Sequence, residues 1–181
     1  SNKFIGAQSG DTWSLLLPLT HIAAVNVIVR SMELGTTPID LRDFVGEFPK
    51  ANYTAIVPTQ LFRALNGDQR LLNHLRSTKA VLVGGAALSE GLRNQAELAG
   101  IKVITTYGMT ETCGGCVYDG MPLEDVQVEI RNEQICIKGP VLASSIPLND
   151  GWFETNDIGE FNNDQLVVIG RSDDVIISGG E

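Results

Sequence analysis

"KAVLVGGAALSEGLRNQAELAGIKVITTYG", residues 79–108, decides the fold. "AVLV" is an apolar run of strand length that stops at a glycine pair. Ser89 stands where a helix N-cap belongs, "EGLRNQAELAG" follows as the helix, and "IKVITTYG" returns to a strand pattern. Strand, helix and strand in that order build a parallel, helix-covered sheet.

The same alternation extends upstream. "TWSLLLP" (12–18) reads as a buried strand, and Thr20 can cap a helix running to about Leu34, with Gly35 as its stop. That helix is apolar on nearly every side and is expected to be buried. "TTPID" (36–40) is a short strand whose Asp40 can cap "LRDFVGEF". "YTAIVP" (53–58) is another strand, and Pro58 opens the helix "PTQLFRALN" near its N1 position. "DQRLLNHLRS" adds a helix with Leu71, Leu72 and Leu75 on one face.

After about residue 117 the period changes. "VQVEIRNEQICIKG" (126–139) alternates apolar and polar residues across an Asn-Glu turn, a β-hairpin signature. "GWFETNDIGEFNNDQLVVIGRSDDVIISGG" continues with short strands and turn residues, and no helix is expected after Gly100. The expected fold class is α/β: a mainly parallel, helix-covered sheet over 1–116, then a smaller all-β, barrel-like part over 117–171. No repeat or low-complexity linker interrupts the chain.

The 181 residues carry 43% apolar and 19% charged side chains, enough for one good core and unlike a disordered chain. Lys and Arg number 13 against 22 Asp and Glu, a net charge of −9, with the basic residues scattered. No phosphate-neutralising stripe exists, so nucleic acid is excluded as an expected partner. Three cysteines make no disulfide framework and point to a reducing cytoplasm. "LLLPLTHIAAVNVIV" (15–29) is too short and too interrupted for a membrane span, and no signal peptide is evident.

Several short stretches carry chemistry, each with a plainer reading beside it. The glycines of "VLVGGAALS" (81–89) let a backbone approach a base or phosphate at the sheet's carboxyl edge; they equally suit a tight strand-to-helix turn. In "TTYGMTE" (105–111), Tyr107 offers a stacking face, Thr110 a hydroxyl for a phosphate oxygen and Glu111 a hard ligand for Mg²⁺; the stretch also reads as a core Tyr before a solvated loop. Asp157 and Arg171 suit ribose hydroxyls or phosphate, or else a turn and a surface ion pair. His21 sits at a strand-to-helix junction, where a lone His is commonly a capped or packed residue. Arg30 can meet a dicarboxylic substrate or simply lie on a helix surface. Cys113-Gly-Gly-Cys116 has CxxC spacing, but zinc needs two further ligands and only Cys136, His21 and His74 are on offer. Free thiols in a Gly-rich turn are expected there.

In order, "LLLPLTHIAA", "AIVPTQL", "VLVGGAALS", "TTYGMTE", "GWFETNDIGEF" and "VVIGRSDDVIISGGE" resemble the adenylate-forming acyl-CoA synthetases over essentially the whole chain. Within that family the likeness is to the o-succinylbenzoate–CoA ligases of menaquinone biosynthesis. It rests on "LPLTHIAAVNVIVRS", "YGMTETCGG" and "GMPLEDVQVEI". The resemblance implies ATP and AMP as nucleotides, Mg²⁺, coenzyme A as co-substrate and a carboxylic acid as substrate, with room for a homodimer. It places Gly84, Gly85 and Ala86 beside adenine and acyl group, and Tyr107 on the adenine. Thr110 falls on the α-phosphate, Glu111 on Mg²⁺, Asp157 and Arg171 on the ribose hydroxyls, His21 near the acyl pocket and Asp173 at a hinge. Thr110, Glu111 and His21 are the implied catalytic set. Asn156 stands where the family has Gly before the motif aspartate. The family's phosphate loop and C-terminal lysine have no counterpart in these residues, so the chain is expected to be part of a larger enzyme, to bind AMP weakly and not to turn over alone. The remaining readings are another acyl- or aryl-CoA ligase, a non-catalytic nucleotide-binding module, and a CxxC metal or redox protein.

Overall fold

A computed structural model of the chain describes residues 1–174. The end of the "GRSDDVIISGGE" motif, residues 175–181, lies outside the described residues. The first half runs α1 (Asn2–Ile5), β1 (Trp13–Leu15), α2 (Ile22–Glu33), β2 (Ile39–Asp40), β3 (Tyr53–Ile56), α3 (Pro58–Leu65), α4 (Gln69–Ser77), β4 (Ala80–Gly84), α5 (Glu90–Leu98) and β5 (Val103–Met109). A 3₁₀ turn at Thr110–Thr112 leads into β6 (Gly114–Tyr118), β7 (Met121–Pro122), β8 (Gln127–Arg131), β9 (Gln134–Lys138), β10 (Phe153–Asn162), β11 (Gln165–Arg171) and a second 3₁₀ turn, Ser172–Asp174.

β1 to β7 form one sheet in the order β2-β1-β3-β4-β5-β6-β7. The pairings among β1 to β5 are parallel, and β6 and β7 add antiparallel. The sheet therefore runs on past residue 116 to Pro122, because the β6–β7 hairpin extends the open edge of β5. The expected α/β class, a mainly parallel helix-covered sheet followed by a smaller all-β part, is the one observed. β8 to β11 make a four-stranded antiparallel sheet in the order β11-β10-β9-β8.

Alternation along β4 splits its side chains between two cores, as a strand covered on both faces requires. Val81 and Val83 pack with Ile56, Leu61, Leu75, Ala96 and Ile101 beneath α3, α4 and α5. Ala80 and Leu82 face Trp13, Leu15, Ala24, Val27 and Tyr53 beneath α2. Each fully buried aliphatic side chain contributes about 1.5–3 kcal/mol. A third core, containing Cys116, Val117, Val126, Ile135, Ile137 and Leu166, joins β6 of the first sheet to β9 and β11 of the second. Tyr107 packs on its margin, so the site straddles the junction between the two sheets.

Side chains cap two of the helices, Ser89 as expected and Asp68 in addition. The Asp68 carboxylate accepts from the Leu71 N–H at 3.0 Å, and the Ser89 hydroxyl accepts from Leu92 at 3.3 Å. Such caps contribute about 1 kcal/mol each. Both second-sheet hairpins turn on residues with positive φ: Asn132 and Glu133 at 49° and 67°, Asn163 and Asp164 at 48° and 63°. Two successive left-handed residues make the turn whose twist matches paired strands.

Three expectations are corrected. α2 starts from His21, not Thr20, and its cap makes no side-chain hydrogen bond. α2 is not buried all round: Ala24, Val27, Arg30 and Ser31 face the sheet, while Val25, Val29 and Met32 are exposed, Met32 by 69%. It packs on the sheet through one stripe, and its opposite stripe faces outward. "LRDFVGEF" is not helical. The Asp40 carboxylate accepts from the Arg42 N–H and guanidinium instead of capping a helix, which holds its pKa down at about 2, and Gly46 turns the chain at φ 93°.

Candidate functional site

Open α/β sheets bind ligands outside the carboxyl ends of their strands. Here the ends of β1, β4 and β5 deliver His21, Gly84–Ala86 and Tyr107–Glu111 to that edge. His21 is exposed at the head of α2. A Cβ on Gly84 would collide with the Thr106 hydroxyl and come within 2.9 Å of the Thr106 carbonyl, so glycine is required for β4 to approach β5. Gly85 then turns at φ 81°, leaving Gly85 and Ala86 exposed before the Ser89 cap. The tight-turn reading and the open-backbone reading of this pair therefore both describe the geometry.

Tyr107 is the last residue of β5 before its pairing with β6 shifts register. Gly108 follows at φ 156°, and any Cβ there would run into the Gly114 carbonyl. β6 corrects the expected Gly-rich turn: Gly114–Tyr118 is a strand whose glycines permit this close approach. Between the two strands Thr112, 2% exposed, gathers the loop. Its hydroxyl accepts from the Met109 N–H at 2.9 Å and lies 2.7 Å from the Gly114 carbonyl. Asn26 of α2 donates its amide to the Cys113 carbonyl at 2.7 Å, tying the loop to the helix that begins at His21. Thr110 is exposed on this fixed turn. Glu111 is half-buried and forms no ion pair among the described residues.

The second sheet contributes Asp157 and Arg171, which are register partners on β10 and β11. The Tyr107 hydroxyl donates to Asp157 Oδ2 at 2.7 Å, across fifty positions of sequence. Burial, and next the Asp157 carboxylate, push the phenol's pKa up, so it remains protonated and donating. Arg171 brings Nη1 to 3.8 Å from Asp157 Oδ1 and donates from Nε and Nη2 to Asp173, at 2.8 and 2.6 Å, which lowers the Asp173 pKa. Thr155, 1% exposed, donates to the Ile135 carbonyl at 2.9 Å, and its hydroxyl lies 3.0 Å from the Asp157 N–H. Asn156 has negative φ, so Asn in place of Gly carries no left-handed strain. Tyr107, Asp157, Arg171 and Asp173 thus form one contiguous chain of contacts.

Sequence reading missed Thr155, Thr112 and Asn26. For Thr155 a signal existed: it stands two residues before Asp157 in a strand, on the same face. Nothing local announced that Thr112 folds the loop or that Asn26 reaches it.

Arg30 corrects an expectation too. It is 7% exposed, not a helix-surface residue. Its guanidinium lies 5.1 Å from the Trp13 ring and donates to Ser1 Oγ at 2.7 Å and the Tyr118 hydroxyl at 2.8 Å. Among the described residues no carboxylate pairs with it, which leaves a buried cation without an anion.

The cysteines are dispersed: Cys113 is exposed, Cys116 is buried on β6, and Cys136 is buried on β9. Burial pushes the Cys116 thiol up to about 11, the wrong direction for a thiolate ligand or nucleophile. No group of three or more His, Cys, Asp or Glu side chains is arranged for a metal among the described residues. The lone Glu111 carboxylate instead fits Mg²⁺, which commonly takes one or two carboxylates and completes its shell with phosphate oxygens and water.

Comparison with known proteins gives one family model, described as AMP-binding enzyme, over residues 2–144. A probable 2-succinylbenzoate–CoA ligase of Mycobacterium tuberculosis is 38% identical over 193 aligned positions, covering 93% of this chain and 50% of the relative. Among solved structures, o-succinylbenzoate coenzyme A synthetase from Bacillus subtilis in complex with ATP and magnesium ion is similar with TM-score 0.82 at 25% identity, over 99% of this chain and 46% of that one. The same enzyme with its acyl-adenylate intermediate also gives 0.82 at 25% identity, over 99% of this chain and 45% of that one. The chain spans about half the length of the curated relatives it matches.

Proposed function

Because the chain belongs to the AMP-binding enzyme family, we propose that it forms part of an acid–CoA ligase that activates o-succinylbenzoate with ATP for menaquinone synthesis. The acid's carboxylate attacks the α-phosphate, pyrophosphate leaves, and CoA then displaces AMP from the acyl-adenylate. The observation that carries this reading is the Tyr107–Asp157–Arg171 chain, which joins an aromatic face, a carboxylate and a guanidinium at the carboxyl edge of a parallel sheet. Those are the groups that stack a base and accept from ribose hydroxyls.

A carboxylate resists nucleophiles until its oxygen is converted to a good leaving group. The protein must therefore hold carboxylate and phosphate in line and stabilise charge developing on phosphate. Thr110 supplies a hydroxyl for the α-phosphate from a turn fixed by Thr112. Glu111 would hold Mg²⁺, which supplies charge neutralisation at the phosphate oxygens. The exposed backbone of Gly85 and Ala86 admits the adenylate closely, with His21 on the acyl side and Asp173 at the hinge. Asp157 accepts from the ribose hydroxyls with Arg171 beside it.

The choice of acid draws on the similarity to 2-succinylbenzoate ligases and on Arg30. A buried guanidinium without a carboxylate suits a substrate that carries a second one. Arg30 lies nine residues beyond His21, roughly 13 Å along α2 at 1.5 Å per residue, which favours a long dicarboxylic acid over a short one. No helix of the described residues is long and apolar enough to cross a membrane. The test is thioester formation by the product of the full reading frame across a panel of acids. Preference for o-succinylbenzoate supports the assignment. Preference for acetate or a fatty acid moves it to another ligase of the family, and nucleotide binding without turnover of any acid makes it a non-catalytic module.

A further inference from the structure

We infer that the Tyr107 hydroxyl is a positioning group for Asp157, setting the carboxylate's orientation for ribose and so the preference for ribonucleotides over deoxyribonucleotides. The inference rests on the nucleotide reading above and assigns a role to an atom that stacking on adenine leaves unused. Asp157 is 8% exposed, so its rotamer is decided by the few groups around it. Its N–H is held by Thr155 at 3.0 Å, which fixes the backbone but not the carboxylate. Arg171 donates to Asp173 from Nε and Nη2, and its Nη1 stands 3.8 Å from Oδ1, too far for a hydrogen bond. Among the described residues Tyr107 makes the short contact to the carboxylate, 2.7 Å to Oδ2.

A carboxylate offers about four lone-pair positions on two oxygens. With one position on Oδ2 taken by the phenol, the remainder faces a fixed direction, and a vicinal diol needs two acceptors at fixed spacing. The phenol keeps its proton because burial and the adjacent carboxylate both oppose ionisation, so the contact is always a donation. Tyr107 itself cannot swing, since its ring packs against the core that joins the two sheets.

The experiment is calorimetric titration of AMP, 2′-deoxy-AMP and 3′-deoxy-AMP into the full reading frame's product and its Tyr107→Phe variant, which keeps the ring. Wild type is expected to prefer AMP over both deoxy analogues. Y107F is expected to lose about tenfold to a hundredfold in AMP affinity, the range for one hydrogen bond to a charged group, while its deoxy-AMP affinities move by less than about twofold. Y107F in an Asp157→Asn background removes the stranded carboxylate, so it keeps the question answerable if Y107F folds poorly. There the Phe substitution is expected to change AMP affinity by less than about twofold, since a group acting through another has no effect once that other is gone. Equal losses for AMP and its deoxy analogues, or a Phe penalty that persists in the Asp157→Asn background, overturns the inference and leaves Tyr107 a structural tether. Failure of wild type to bind AMP, or binding without ribose preference, overturns the nucleotide reading and the inference with it.

Discussion

Replacing Arg30 with Met separates what the fold needs from what the substrate needs. Arg30 is 7% exposed, and its guanidinium sits 5.1 Å from the Trp13 ring and donates at 2.7 and 2.8 Å to Ser1 Oγ and the Tyr118 hydroxyl. Losing two hydrogen bonds from a charged donor costs about 1.5–3 kcal/mol each, and the ring contact adds about 1–2 kcal/mol. Against this, burying a guanidinium with no counter-charge incurs several kcal/mol of desolvation, which Met does not. The two acceptors are not orphaned, because Ser1 Oγ and the Tyr118 hydroxyl are 2.8 Å apart and keep each other. Met also retains packing on Trp13. The opposing terms nearly cancel, so R30M is expected to unfold within about 4 °C of wild type, the shift that about 1 kcal/mol gives a domain this size. Its kcat/KM for o-succinylbenzoate is expected to fall about tenfold to a hundredfold, the worth of one charged hydrogen bond in the transition state, while a monocarboxylic analogue changes little. Calorimetry and a coupled thioester assay measure both. A drop in Tm beyond about 10 °C, or equal loss for mono- and dicarboxylic acids, would refute the reasoning.

Other perturbations test separate parts of the structure. Thr155→Val strips a buried hydroxyl from the Ile135 carbonyl and the Asp157 N–H; it is expected to cost about 1–3 kcal/mol and to weaken AMP binding, with Thr155→Ser restoring both. His74 is 3% exposed, 2.8 Å from Ser14 Oγ, and burial lowers its pKa. The neutral ring therefore contributes stability fully above the unfolded pKa near 6.5, and that stability is lost as pH falls from there through the depressed folded value. Urea denaturation from about pH 7.5 to about pH 5 should show it, with His74→Leu flattening the slope. Native thiol titration at about pH 8 is expected to modify Cys113 quickly and to leave Cys116, raised to about 11, and Cys136 for the unfolded chain; fast reaction of all three would contradict the core that joins the sheets.

Much of the fold was legible because its signals are local. Apolar runs such as "AVLV", the Ser89 cap and the Asn132-Glu133 turn each determine a few backbone angles near themselves. What failed depended on neighbours the sequence does not show. The exposure of Val25, Val29 and Met32 depends on what lies against the outer stripe of α2, which no helical period reveals. Asp40 capped nothing because Arg42, two residues away, competes for its carboxylate. Arg30 reads as a surface residue until Trp13 and Tyr118, 17 and 88 positions distant, close around it. The site followed the same division. Tyr107, Thr110, Glu111, Asp157 and Arg171 stood in recognisable short stretches, whereas the contact between Tyr107 and Asp157 exists only because a shared core docks the second sheet on the first.

Binding of a non-hydrolysable o-succinylbenzoyl-adenylate mimic tests the central claim most directly, measured by calorimetry on the full reading frame's product, its Asp157→Ala variant and R30M. One site per chain is expected. Asp157→Ala should weaken the mimic and AMP alike by at least about tenfold, and R30M should weaken the mimic but not AMP. Wild-type affinity for the mimic in both variants would contradict the account.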